Sequence, residues 1–413
     1  MARILVLGAG FAGLWAAASA ARKLDEIGAL PGEVEILLVD RNAYHNIRVR
    51  NYEADLGNVA IPLGEVLDPI GVNHLVAEVE TIDVAKRHVG VVTARGSESL
   101  AYDRLIVTLG SELMRPGIPG VATSSFDVDT YSAAVKLNAH IAALDRRPCA
   151  AGRSTVVVVG AGFTGIEVAT EMPGKLARAL SNGAHRIILV DPNPIVGATI
   201  GDYARPVICD ALATLGIETR LGTKITTVDA LGVTLASGET IPAQTTVWCA
   251  GMRASPLAAI LPGARDKLGR LAVDDFMRVP ALADVFAAGD VASSRVDGVH
   301  STVMSCQFAR PMGRFAGHNA VADLFGRAMI PLRIDWYVTV LDLGAWGALY
   351  TVGWDRQVLA TGGDAKTIKQ TINQKRIYPP ATGSREDILA AAAPIVQAPP
   401  QYRPAASTYA QSA

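Results

Sequence analysis

The chain has 413 residues, of which 50% are hydrophobic and 6% aromatic, and a formal net charge of −1. That length suits two or three domains, and the balanced charge excludes an electrostatic footprint for nucleic acid or for an acidic partner. Cys149, Cys209, Cys249 and Cys306 stand too far apart for a disulfide framework or a CxxC metal site. No metal is therefore expected, and a reducing, cytoplasmic setting is.

In chain order, the apolar run at 4–7 predicts a buried strand, and GAGFAG at 8–13 opens an alanine-rich stretch that predicts a helix. In such a strand–turn–helix the first glycine (Gly8) permits a tight turn and the second (Gly10) lets backbone approach a pyrophosphate. The third (Gly13) lets the helix pack on the sheet, while the helix start at Phe11 and Ala12 offers N–H groups and a dipole to the anion. After a Gly/Pro loop at 28–32, EILLVD at 35–40 predicts a second strand ending in Asp40, a carboxylate placed to accept from a ribose diol. Residues 74–80 and 88–92 alternate apolar and polar, which predicts antiparallel strands. YDRLIVTLG at 102–110 reads as a buried strand closing in a glycine turn. A connector with Pro116 and Pro119 and a helix near 133–144 follow.

The order then repeats. TVVVV at 155–159 leads into GAGFTG at 160–165, RIILVD at 186–191 ends in Asp191, and TTVWCAG at 245–251 closes the unit. One glycine motif alone is weak evidence. Two, each with its own acid, imply two dinucleotides in one chain and electrons passing between them. No arginine or lysine falls between Asp191 and Arg205, so the second site reads as built for NADH, with NADPH as the alternative. DVFAAGDVA at 284–292 is a buried strand whose end carries Gly289 and Asp290; Asp290 suits a polyol hydroxyl and equally suits a helix cap.

The most apolar late stretch, 336–354, is broken by Asp342, Gly344, Gly347 and Gly353, so a buried sheet is expected in place of a membrane span. Residues 366–376 space two isoleucines among basic residues and read as a plain surface helix in preference to an interfacial anchor. From 379 the chain is rich in Ala, Pro, Ser and Gln, which predicts a disordered tail. Met1 leads at once into the first strand, so no signal peptide is expected.

The set GAGFAG, VDRNAYH, VTLG, GAGFTGIE, LVDPNP, WCAGMRASP and VFAAGDVA, in this order over residues 3–378, resembles the two-dinucleotide flavoproteins of the pyridine-nucleotide oxidoreductase superfamily. Within them it most resembles the type II NADH dehydrogenases. The resemblance implies an α/β fold of two Rossmann-like domains, each a parallel sheet with an antiparallel insert. An FAD-binding domain would comprise 1–115 and 277–330, an NADH-binding domain 116–276, and a small C-terminal region 331–378, before the tail at 379–413. On matching positions, Gly8, Gly10 and Gly13, with Phe11 and Ala12, would hold the FAD pyrophosphate and Asp40 its adenosine ribose. Arg41 would lie near the adenine and Val79 would contact it through backbone. Thr108 and Gly110 would line the flavin, and Gly289 and Asp290 would meet the ribityl chain. Gly160, Gly162, Gly165 and Asp191 would hold NADH, with Ala250 and Gly251 beside the nicotinamide. Glu167 matches a family glutamate near the nicotinamide, although a glutamate there also serves as a dipole partner.

Departures from the family are equally informative. The disulfide reductases carry CxxxxC soon after the first acid, but residues 42–53 hold no cysteine, so a thiol relay is not expected. Sulfide:quinone oxidoreductases place reactive cysteines at positions matching Phe163 and near Leu341. The quinone reductases carry AQxAxQQG where this chain has CQFARPMG at 306–313. Gln307 and Ala309 are retained, Cys306 replaces alanine, and Pro311-Met312 replace the paired glutamines. An interior proline is costly in a helix, so a later helix start or a kink is expected, and Cys306 reads as packing in preference to a reactive thiol. The expected activity is FAD-dependent oxidation of NADH with a quinone-like acceptor. The alternatives are another acceptor (a ferredoxin-like protein or a small oxidant) or a redox-sensing protein that binds NADH and FAD. Peripheral contact with the inner face of the cell membrane and a homodimer are left open.

Overall fold

Strand Ala2–Leu7 sits at the centre of a five-stranded parallel sheet in the order Val285–Ala287, Arg104–Val107, Ala2–Leu7, Val34–Asp40, Asn73–Val76. In register, Ile4 stands between Ile36 and Arg104. The computed structural model describes residues 1–147, 150–181 and 183–402. A second parallel sheet repeats the plan as Ile217–Leu221, Arg186–Asp191, Thr155–Val159, Thr245–Trp248. Each central strand is apolar because both faces of such a sheet are covered; Thr155–Val159 is buried throughout.

Each sheet carries an antiparallel three-stranded insert: Glu78–Asp83, His88–Thr93, Gly96–Ala101 in the first, and Ile225–Val228, Gly232–Leu235, Thr240–Pro242 in the second. The alternating stretch at 74–80 is not one antiparallel strand. Asn73–Val76 joins the parallel sheet beside Val34–Asp40, and the chain turns at Ala77 to begin the insert. Alternation reports burial on one side only, and an edge strand of a parallel sheet shares that property with a hairpin strand.

Helices Phe11–Ile27 and Cys306–Leu324 pack so closely that a Cβ on Gly313 would lie 2.1 Å from the Ala12 carbonyl oxygen. One on Gly317 would lie 2.0 Å from that of Ala16. The second helix starts at Cys306, with Ser305 as its extended N-cap, and continues through Pro311. The expected later start is therefore not seen: the proline removes one N–H, while fifteen helix residues from Phe308 to Ala322 are buried, and packing outweighs that loss.

The late apolar stretch forms strands Val338–Asp342 and Ala348–Val352, which pair with Gln357–Thr361 in an antiparallel sheet. Helix Gly362–Thr371 and the π-helical stretch Ile372–Arg376 follow. They are more than a surface helix, because Ala365, Lys369 and Asn373 are buried and Ile368 and Ile372 pack against apolar cores. Among the described residues no helix is long and apolar enough to cross a membrane. The expected tail is also ordered over much of its length. Helix Arg385–Ala391, whose N-cap Ser384 accepts from the Asp387 N–H at 3.3 Å, buries Ile388 and Leu389 in the first core. Two buried apolar side chains suffice to dock a helix in a stretch whose composition predicts disorder. Residues 403–413 and Cys149 lie outside the described residues.

Candidate active site

The two glycine turns are built alike. Gly8 and Gly160 have φ of +100° and +106°, a region that favours glycine. A Cβ on Gly13 would sit 1.7 Å from the Gly8 carbonyl oxygen, and one on Gly165 1.7 Å from that of Gly160. The outer glycines are thus demanded by the protein's own packing. The middle ones are not: a Cβ on Gly10 or Gly162 would meet nothing within 4 Å. Each middle glycine faces open space at a helix N-terminus, the cradle a pyrophosphate would fill. Phe11 and Ala12 form the first turn of that helix, and Gly289 approaches Ala12 so closely that an added Cβ would lie 2.7 Å from the alanine Cβ.

The two second-strand acids lock these turns. Asp40 accepts from the Ala9 N–H at 2.6 Å and the Asn42 N–H at 2.7 Å; Asp191 accepts from the Ala161 N–H at 2.6 Å and the Asn193 N–H at 2.8 Å. Each also accepts from the Nδ2 of its asparagine, at 3.3 Å for Asn42 and 2.8 Å for Asn193, so of about four lone-pair sites one stays open to a ribose hydroxyl. Thr108 donates to the Leu7 carbonyl at 2.7 Å, with the Gly8 carbonyl at 3.0 Å, so its hydroxyl braces the turn. Cys249 is its counterpart in the second unit, and burial pushes that thiol well above its ordinary pKa. At the far end, exposed Arg41 pairs with Glu78 at 3.4 Å beside buried Val79.

The closing strands of both units run into one ribbon, Ser111–Leu113 antiparallel to Met252–Ala254. The Gly110 carbonyl accepts from the Ser255 N–H and the Gly251 carbonyl from the Met114 N–H, both at 3.0 Å. The strand ends at Gly110 and at Ala250-Gly251, expected at the flavin and the nicotinamide, are thereby brought together. Ser111 also donates to Asp290 at 2.7 Å, and Arg48 donates to Ser111 at 2.9 Å while pairing with Asp129. Arg48 and Asp129 carried no recognisable motif; only the fold joins positions 48, 111, 129 and 290.

Glu167 lies one turn into helix Phe163–Ala179 and is buried. Its Oε1 accepts from Lys369 Nζ at 2.7 Å and from the Asp342 N–H at 3.1 Å. Asp342 in turn pairs with Lys366 at 2.6 Å and accepts from the Tyr52 hydroxyl at 3.0 Å. Burial pushes the Glu167 carboxyl up against the pull of Lys369; burial also opposes the Lys369 charge, but Glu167 prevails and holds it above its ordinary pKa. Burial raises Tyr52, with the charges of Glu167 and Asp342 adding to it. A cavity of about 590 Å³ opens onto this cluster, lined by Tyr52, Glu53, Glu171, Asp342, Lys366 and Lys369. Lys369 is 202 positions from Glu167, so sequence offered no signal for the pair.

Cys306 begins the helix that approaches this cluster, and burial raises its thiol while Arg310 and Lys369 draw it down. The Nε2 of Gln307 is buried and has no hydrogen-bond partner among the described residues. Along the same helix Arg310 and Arg314 lie over the Trp15 ring, 5.4 and 4.3 Å from its centroid. Among the described residues no group of His, Cys, Asp and Glu could hold a metal ion.

Comparison with known proteins identifies the family. Residues 2–313 match the family model of the pyridine nucleotide-disulphide oxidoreductases. The chain is 54% identical, over 97% of its length and 100% of the relative's, to an NADH dehydrogenase-like protein of Mycobacterium tuberculosis. It is 26% identical, over 91% of its length and 95% of the relative's, to a type II NADH:quinone oxidoreductase of Staphylococcus saprophyticus. The solved NDH2 of Plasmodium falciparum superposes with a TM-score of 0.77 over 95% of this chain and 97% of that one; at 13% identity the likeness shows the fold. The chain belongs to the pyridine nucleotide-disulphide oxidoreductase family, as a flavin- and NADH-dependent oxidoreductase of its NADH dehydrogenase-like branch.

Proposed function

We propose that the chain oxidises NADH through FAD and passes the electrons to a quinone. The observation that carries the reading is the shared ribbon, which joins the end of the first unit's closing strand to that of the second. The quinone follows from the Staphylococcus relative, named for that acceptor, and from the retained Gln307 and Ala309.

FAD, when bound, supplies a two-electron acceptor for the NADH hydride. In this reading residues 1–115 and 277–330 hold FAD and 116–276 hold NADH. The 8–13 turn would hold the first pyrophosphate and the 160–165 turn the second, with Asp40 and Asp191 accepting from the two adenosine riboses. Thr108 would keep the first turn in shape, and Asp290, oriented by Ser111 and Arg48, would hold the ribityl hydroxyls. Quinone reduction consumes two protons with two electrons, and Lys369 Nζ carries a proton at Glu167 Oε1 within electrostatic reach of Cys306. Thiol relay has no place here, because no cysteine lies between positions 42 and 53.

The test is steady-state oxidation of NADH by the purified protein with a soluble quinone, a ferredoxin and dioxygen as separate acceptors. A yellow protein with about one FAD per chain that turns over fastest with quinone is expected. A colourless protein that cannot be reconstituted with FAD overturns the reading. Turnover only with ferredoxin or dioxygen overturns the acceptor, and a reduced complex that never turns over points to a sensor.

A further inference from the structure

We propose that Arg310, on helix Cys306–Leu324, is a direct ligand of the FAD pyrophosphate, reaching the 8–13 turn from the neighbouring helix, with Arg314 one turn further on over the same Trp15 ring. The proposal rests on the FAD reading above and assigns a charged side chain to a site otherwise made of backbone.

The first observation is an electrostatic imbalance. Arg310 is 7% exposed and Arg314 1%, yet among the described residues neither has a hydrogen bond or an ion pair. Buried guanidiniums are ordinarily paired, because removing the charge from water without an anion is expensive. The Trp15 ring supplies cation–π attraction to both, which is weaker than the hydration lost. Two like charges on successive turns, with no carboxylate beside them, amount to half of an ion pair.

The second observation is position. Gly313 meets Ala12 and Gly317 meets Ala16, so the two helices run parallel and in step. Arg310, three residues before Gly313, therefore stands near the level of Ala9, and helical side chains lean toward the N-terminus. His45 marks the same spot. Its Nδ1 donates to the Ala9 carbonyl at 2.8 Å, its ring packs edge-on to Phe11 at 5.0 Å, and it feels the Arg310 charge. Gly10, the next residue after Ala9 and the N-cap of the first helix, is where an added Cβ would meet nothing within 4 Å.

The third observation is what else is near. A helix N-terminus offers partial charges, whereas a pyrophosphate carries two full negative charges. Arg41, which sequence places beside this cofactor, is exposed and tied to Glu78. Arg48 is tied to Asp129. Arg376, whose charge also acts on Arg310, donates to the Ala398 carbonyl; among the described residues Arg310 is the cation near this turn with no hydrogen bond or ion pair of its own.

The experiment compares wild type, Arg310→Met and Arg310→Lys by FAD content after purification and by the dissociation constant for FAD from its fluorescence. ADP, which carries the pyrophosphate without the flavin, is titrated as a competitor, and NADH binding is the folding control. Arg310→Met should weaken FAD and ADP binding about tenfold to a hundredfold, the loss of a hydrogen bond to a charged group. Arg310→Lys should fall between, and NADH binding should not change. Because an uncompensated charge is removed, FAD-free Arg310→Met should melt no lower than FAD-free wild type. Equal FAD binding by wild type and Arg310→Met overturns the proposal while leaving the FAD reading intact. A lower melting point of the FAD-free variant also overturns it, since the arginine would then be a structural brace. Wild type that binds no FAD overturns the reading beneath.

Discussion

Lys369 Nζ lies 2.7 Å from Glu167 Oε1, and both side chains are buried, one on helix Gly362–Thr371 and the other on helix Phe163–Ala179. Each charge is tolerable only because of the other. Lys369→Met leaves a buried carboxylate alone and should cost about 3–5 kcal/mol near pH 8. The sign with pH follows from the direction of the shift. Glu167 is raised by burial in the folded state, so the folded variant binds its proton at higher pH than the unfolded chain does. Stability is then greatest below the ordinary glutamate pKa and is lost as pH rises through the folded value. Chemical denaturation at pH 5 and pH 8 checks this: the variant should suffer less at pH 5. Glu167→Gln combined with Lys369→Met should recover most of the loss; an equal loss at both pH values would show that the pair is not a coupled one.

The glycines separate folding from binding. Gly13→Ala puts a Cβ against the Gly8 carbonyl and should cost about 3 kcal/mol or more. Gly10→Ala and Gly162→Ala meet no protein atom and should change stability by about 1 kcal/mol, the difference between glycine and alanine as a helix cap. Their effect should fall on the ligands instead: Gly10→Ala on FAD, Gly162→Ala on NADH. Thermal melts alongside equilibrium binding read both quantities, and a Gly10→Ala protein that keeps its FAD affinity would remove that glycine from the cofactor site.

These contrasts also mark what the sequence could and could not reveal. The glycine turns, the acids at 40 and 191 and the closing strands are local patterns, so strand, turn and helix were legible from residues a few places apart. The ribbon at Ser111–Leu113, the Arg48–Asp129–Asp290 cluster and the Glu167–Lys369 pair join distant positions, and no periodicity encodes them. Arg310 and Arg314 looked like ordinary basic residues because burial is a property of the fold. Composition failed at Arg385–Ala391, where the burial of Ile388 and Leu389 decided the outcome against the alanine- and proline-rich background.

Nucleotide choice should turn on Asp191. It is buried, it holds the Ala161 N–H at 2.6 Å, and it would meet a 2′-phosphate with like charge. Asp191→Ser with Pro192→Arg removes that repulsion and adds a cation. The ratio of kcat/KM for NADPH to that for NADH should rise by about tenfold or more, equivalent to about 1.4 kcal/mol. The same change frees the Ala161 N–H, so some loss of rate with NADH is expected as well. A ratio that does not move, in a variant that still binds NADH, would mean that Asp191 serves the turn alone.

Cys306 opens the helix beside the candidate flavin site, where burial raises its thiol and Arg310 and Lys369 draw it back. Burial wins, which keeps the group a neutral thiol at neutral pH and a poor nucleophile. The resemblance to the quinone reductases implies alanine at this position, so Cys306→Ala should leave flavin reduction by NADH within about tenfold of wild type, a barrier change of about 1.4 kcal/mol. Exposed Cys209 should react with iodoacetamide before Cys306 does. Rapid mixing with NADH, followed by the loss of flavin absorbance, measures the first expectation, and mass-resolved alkylation at pH 7 measures the second. If Cys306→Ala binds FAD but is no longer bleached by NADH, the thiol takes part in the chemistry, and the sulfur-free route inferred from residues 42–53 must be given up.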